Sequence, residues 1–127
     1  MNDKYILDTA SSVNVKIADD VLATIASVAA EKVDGVVELQ STLKASVTDM
    51  LGVKNLTKGV KVNVGENEIV IDMFIVVEYG KNLVEIAKNV QEKVKDSIEN
   101  MTGLAVVEVN VHISGIALPD REKVKRL

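Results

Sequence analysis

His112 is the single histidine in a chain of 127 residues, and it stands among groups that could do proton or metal chemistry. Glu108 and Asn110 precede it by four and two residues, so on a strand all three share one face. Asp72, in a separate valine-rich segment, joins them if the two strands are neighbours. An imidazole among carboxylates is the raw material of a general base or a metal site. The grouping falls short of both. A mononuclear zinc site usually takes three or more protein ligands in close geometry. A serine hydrolase needs its nucleophile on a strained turn, and no Gly-x-Ser-x-Gly elbow occurs. The absence of cysteine removes thiolate ligation, a thiol nucleophile and disulfides together, and fits a reducing compartment. His112 is therefore expected to be a polar residue on a solvated sheet face. The chain is expected to hold no catalytic, cofactor-binding or metal site.

Two further groups suggest anion chemistry. Gly52, Gly59 and Gly65 are spread over a loop and a hairpin, not packed ahead of a helix N-terminus, so they read as stops and turns and not as a phosphate cradle. The tail PDREKVKRL carries Arg121, Lys123, Lys125 and Arg126, which could meet nucleic acid or an anionic membrane. Each cation near such a surface contributes about 1 kcal/mol at best, and Asp120 and Glu122 offset part of that. The tail also lacks the apolar face of a surface-binding helix, so it is expected to be a solvated end. The sequon Asn55-Leu56-Thr57 matters only in a secreted chain, and the start MNDKYILD does not read as a signal peptide.

The elements that position these residues follow from hydrophobic period. Val13 to Ile17 alternates as a short strand. Asp19 and Asp20 then read as N-cap and first-turn acid of a helix with Val21, Leu22, Ile25, Val28 and Ala29 on its apolar side, closed by Gly35. Val36 to Gln40 resumes as a strand. Leu43, Val47, Met50 and Leu51 recur at helical spacing, so 41–57 is expected to hold a short amphipathic helix with a flexible exit. Val60, Val62 and Val64 form the first arm of a hairpin turned by Gly65-Glu66-Asn67, and Glu68 to Tyr79 forms the second. Gly80 breaks that strand, and Asn82 with Glu85 makes an Asn-x-x-Glu capping box. Leu83, Ile86, Ala87, Val90, Val94, Ile98 and Met101 stripe a long helix that Thr102-Gly103 ends. Lys88–Glu92 and Lys95–Glu99 are i,i+4 pairs. Val107, Val109, Val111 and Ile113 then face inward on a last strand, and Pro119 marks the end of regular structure.

Composition agrees with that pattern. The chain has 23 valines and 10 isoleucines, residues that favour strands, and only three aromatics: Tyr5, Phe74 and Tyr79. A net charge of −4 with so few aromatics argues against nucleic acid as a ligand. The longest apolar run, Met73 to Val77, is far short of the ~20 residues of a membrane span. The expected fold is α+β: a two-layer sandwich with a four- to five-stranded sheet and both long helices on one face. Residues 1–12 form an N-terminal segment, 13–116 the single domain and 117–127 the charged tail. The expected setting is the cytoplasm.

One feature of the long strand does not fit a one-sided sheet. If Ile69, Ile71, Met73, Ile75 and Val77 face the helices, then Val70, Phe74 and Val76 face away, which is too apolar for a solvated surface. Such a group marks a protein interface, or else it is covered by Tyr5 to Leu7 or by the 41–57 element. The candidate interaction face is thus Val70, Phe74 and Val76.

The phrases VNVKIADDVLATIASVAAEKVDGVVEL, KGVKVNV, IDMFIVVEYG, VQEKVKDSIENMTGL and VEVNVHISGI, in this order and spacing, resemble the alkaline shock protein family of Gram-positive bacteria. Its members are also called general stress or envelope stress response proteins. The resemblance runs from about Val13 to Ile116. It implies a non-enzymatic cytosolic protein with no catalytic residues to carry over, acting through self-association or through docking to a membrane-anchored protein at the inner face of the cell membrane. Other members are linked to fatty-acid precursor synthesis, which implies the alternative of a regulator that binds an enzyme such as acetyl-CoA carboxylase. The resemblance implies protein partners and a homo-oligomer, with no nucleic acid and no membrane span. The sequence lacks a long charged or Gly-rich extension, so no subtype follows.

Overall fold

The computed structural model describes residues 15–39, 59–66, 68–119 and 124–126. The elements run α1 (Asp19–Glu31), β1 (Val36–Leu39), β2 (Val60–Val64), β3 (Glu68–Glu78), α2 (Leu83–Thr102), β4 (Ala105–Ala117) and β5 (Val124–Arg126). They build the expected α+β sandwich, with one five-stranded mixed sheet.

The long strand β3 is the centre because its sequence is apolar on both faces, and a strand flanked on both sides can bury both. β4 pairs with it in parallel along its whole length. On its other edge β2 lies antiparallel opposite Ile69–Met73 and β1 antiparallel opposite Ile75–Val77, so the two short strands sit end to end. Parallel β3 and β4 need a crossover, and α2 supplies it. Ile69, Ile71, Met73, Ile75 and Val77 pack with Leu22, Ala26 and Ala30 of α1 and with Ile86, Val90, Val94 and Ile98 of α2 in one core. Burying each large aliphatic side chain there contributes about 1.5–3 kcal/mol.

The N-cap half of the expected capping box is present: Asn82 accepts a hydrogen bond from the Glu85 amide at 3.0 Å, and Gly103 ends α2 in the left-handed region at φ 75°. Leu83 and Met101, the two ends of the expected stripe, are exposed.

Several expectations are corrected. In α1 the buried side is Leu22, Ala23, Ala26, Ala29 and Ala30, while Val21 and Val28 face solvent. Small alanines let α1 approach the sheet and α2 closely, and that packing outweighs the larger size of the valines. Ala18 is the N-cap, with Asp19 and Asp20 both inside the first turn. Helix α1 closes at Lys32, and Gly35 serves the turn into β1 instead. Among residues 15–18 only Lys16 makes a bridge, so the expected first strand is not continuous there, and its start at Val13 lies outside the described residues. Regular structure does not end at Pro119, since β5 follows it and pairs antiparallel with Gly115–Ala117. The expected helix within 41–57, Tyr5 to Leu7, Asn67 of the hairpin turn, and Arg121 and Lys123 lie outside the described residues.

Candidate interaction face

The side of the sheet away from the helices is set by alternation along β3 and β4. On β3, Val70, Asp72, Phe74 and Val76 point that way, because the residues between them fill the core. On β4, Glu108, Asn110 and His112 are their register neighbours, opposite Val70, Asp72 and Phe74.

That register depends on two irregularities that the sequence pattern hides. The pairing slips between Ile69/Val106 and Val70/Glu108, and again between Ile75/Ile113 and Val76/Gly115. Val107 and Ser114 are the extra residues of two β-bulges, which insert a residue and bend the strand. Val106 therefore takes the buried position expected of Val107, and Val107 is 53% exposed. A simple valine alternation cannot reveal a bulge when valines occupy two adjacent positions.

The geometry brings the predicted residues together. The imidazole of His112 stacks on the ring of Phe74 with centroids 4.5 Å apart and planes 11° from parallel. Its Nε2 lies 3.3 Å from Asp72 Oδ1, within hydrogen-bond reach of that carboxylate. Asn110 Nδ2 donates to Glu108 Oε2 at 2.8 Å. Glu108 and His112 are exposed, whereas Phe74 and Val76 are buried, at 2% and 0% exposure, and Val70 is half-buried. The apolar centre of this face is thus sealed, and its accessible part is a polar rim. Among the described residues there is no cluster of three or more histidine, cysteine or acidic side chains that could hold a metal. The arrangement can stack, hydrogen-bond and present charge. Lys125 and Arg126 of the predicted basic tail lie in β5, at the far end of β4.

A second polar row runs along the opposite edge of β4. Gln91 Nε2 donates to the Val109 carbonyl at 3.0 Å, and Lys95 Nζ to the Val106 carbonyl at 3.4 Å. Glu99 Oε2 accepts from the Val106 amide at 3.0 Å while pairing with Lys95 at 3.6 Å. Spaced by four, these residues form the polar shoulder of α2, and they cap strand-edge groups that would otherwise face water or another strand. At the far end of the sheet Lys81 Nζ donates to Asp34 Oδ2 at 2.9 Å. That hydrogen bond, then the charges of Asp34 and Glu78, hold the Lys81 ammonium above its usual range. Lys95 and Glu99 are the expected pair, but Gln91 was missed, and its i, i+4, i+8 spacing with them is the signal that could have found the row. Nothing local in sequence links Asp34 to Lys81.

Comparison with known proteins gives the relationship. The profile of the alkaline shock protein 23 family, described by a cell envelope-related function, matches residues 8–118. The uncharacterized protein YqhY of Bacillus subtilis is 40% identical over 102 residues, covering 80% of this chain and 76% of the relative. YloU of the same organism is 38% identical, over 80% of this chain and 87% of its own length. A stress response regulator gls24 homolog of Streptococcus pyogenes is 28% identical over 100% of this chain and 75% of the relative. Among solved structures, a MamM CTD aligns at TM-score 0.48 and 15% identity, over 76% of this chain and 98% of that one.

Proposed function

The chain belongs to the alkaline shock protein 23 family, a cell envelope-related family of Gram-positive bacteria, and from that premise we propose that it is a non-enzymatic docking protein. It works in the cytoplasm at the inner face of the cell membrane, by self-association and by holding a membrane-anchored protein partner. The observation that supports this most is the second face of the sheet. Val70, Phe74 and Val76 turn away from both helices, and around them Glu108 and His112 remain accessible. A surface with Phe74 and His112 stacked beside exposed Glu108 suits recognition by charge and shape. Among the described residues no helix is long and apolar enough to cross a membrane, so the proposed membrane association runs through the partner.

The burial of Phe74 decides how this is tested. Phe74→Glu would bury a charge and report on folding, so the variants belong on the rim. The expected result is that the wild-type chain, purified from native cells after crosslinking, brings down an integral membrane protein. Glu108→Lys with His112→Ala loses it, while Val84→Lys on the exposed helix side keeps it. Equal capture by the rim variant would sink the docking face. Recovery of acetyl-CoA carboxylase subunits in place of a membrane protein would replace this partner with the fatty-acid precursor enzyme.

A further inference from the structure

We infer that the outer edge of β4, from Val107 to Ile113, pairs antiparallel with the same edge of a second copy, about a two-fold axis at Asn110. This rests on the reading above that the chain self-associates, and it names the surface.

The polar groups available at this edge follow from the side-chain bonds already described. In a strand paired in parallel, the N–H and C=O of one residue point to the same side. Glu99 and Lys95 reach Val106, and Gln91 reaches Val109, so those residues point outward. The intervening bulge at Val107 accounts for the three-residue step. Alternation from Val109 then turns the backbone groups of Val111 and Ile113 outward as well. Among the described residues no strand pairs with β4 on this side before β5, whose pairing starts at Gly115 of β4. A groove lined by Gln91, Lys95, Glu108 and Asn110 runs beside this stretch. Beyond the Val106 and Val109 groups that α2 caps, the outward groups of Val111 and Ile113 have no strand partner among the described residues, and such groups are a template for another strand.

Register and partner follow from charge and from β5. With Asn110 on the axis, Glu108 of each copy stands across from His112 of the partner subunit, on the same sheet face, and this happens twice. Like charges directly across a strand pair are unfavourable, and this register keeps the two Glu108 carboxylates apart, where an axis at Glu108 would set them directly opposite each other. Val109 faces Val111 of the partner subunit as a hydrogen-bonded pair, also twice. The Val109 carbonyl can accept that bond beside Gln91, since it has two lone pairs. In this register Gly115 lies across from Ala105 of the partner subunit, where its β4 begins. The two copies of β5 therefore abut the ends of the new strand pair. Sliding the axis toward the C-terminus drives each β4 into the other copy's β5.

The register has a direct test because the chain has no cysteine of its own. Asn110 is in a non-hydrogen-bonded pair on the axis, where Cα atoms approach to about 4.5 Å, within the range a disulfide spans. Full-length Asn110→Cys is expected to give a disulfide-linked dimer under mild oxidation, and Val107→Cys, across from Ile113 of the partner subunit, is not. Adding Val111→Pro to Asn110→Cys removes an outward N–H and is expected to abolish the crosslink, with circular dichroism reporting that the fold is kept. Should that variant unfold, Ile113→Pro in the Asn110→Cys background is the second probe: it removes the neighbouring outward N–H and is likewise expected to abolish the crosslink. No crosslink at Asn110→Cys, or an equal one at Val107→Cys, overturns the pairing. A dimer seen by sedimentation in the wild type alongside that result leaves self-association standing through another surface. A chain that is monomeric throughout removes both.

Discussion

The imidazole of His112 lies flat on the ring of Phe74, 4.5 Å between centroids, on the side of the sheet that neither helix touches. The contact ties a buried residue of β3 to an exposed residue of β4. It joins the interior of the protein to the rim proposed to meet a partner. Replacing His112 by alanine removes the stack and the contact with Asp72 together. The expected cost is about 0.5–1.5 kcal/mol in urea unfolding, with an unchanged slope. A urea midpoint identical to wild type would mean that the stack contributes nothing.

Gly35 holds a turn that only glycine can make. Its φ is 100°, and a Cβ added there would lie 2.6 Å from Ile86 Cδ1. Gly35→Ala is expected to destabilise by about 1–3 kcal/mol, from both backbone strain and the clash. Gly80→Ala shares the positive φ, at 97°, but meets nothing within 4 Å. It should therefore cost less, and thermal unfolding of the two variants side by side checks the order.

The cap on α2 is separable from packing. Asn82 accepts from the Glu85 amide in exposed surroundings, so Asn82→Ala is expected to lose about 1 kcal/mol while Asn82→Asp is nearly neutral. Equal losses in both would assign the effect to something other than the cap.

Much of this architecture was legible in the sequence, and the exceptions have physical causes. Asn82, Gly103 and the Ile86–Val90–Val94–Ile98 stripe were readable because capping and helical period are local. The meeting of Asp72 with His112 was readable as a conditional, and the parallel pairing of β3 with β4 fulfils it. The orientation of α1 was not, because hydrophobicity ranks valine above alanine while close helix packing prefers the smaller residue. The bulges at Val107 and Ser114 were hidden for a related reason: register is decided by the neighbouring strand and not by the strand's own alternation. The burial of Phe74 and Val76 is a property of the whole chain that no single segment encodes.

The exposed Lys81–Asp34 pair makes a small, pH-dependent contribution to stability. The folded pKa of Lys81 is raised above 10.5, first by the hydrogen bond to Asp34 and then by the charges of Asp34 and Glu78. A raised basic pKa contributes stability that is fully present below the unfolded value and is lost as pH rises through the folded one. The melting temperature should therefore fall more steeply above pH 10.5 in the wild type than in Asp34→Asn. Parallel curves for the two proteins would remove the pair from the account.

The central claim is that the side of the sheet away from α1 and α2 is where this protein meets others, and photo-crosslinking in living cells tests it most directly. A photoreactive residue is placed in turn at Glu108 and His112 on that side, and at Val84 and Met101 on the exposed helix side. The account predicts adducts with a membrane-anchored protein, or with a second copy of this chain, from the first two positions and none from the others. Adducts confined to Val84 and Met101 would contradict it.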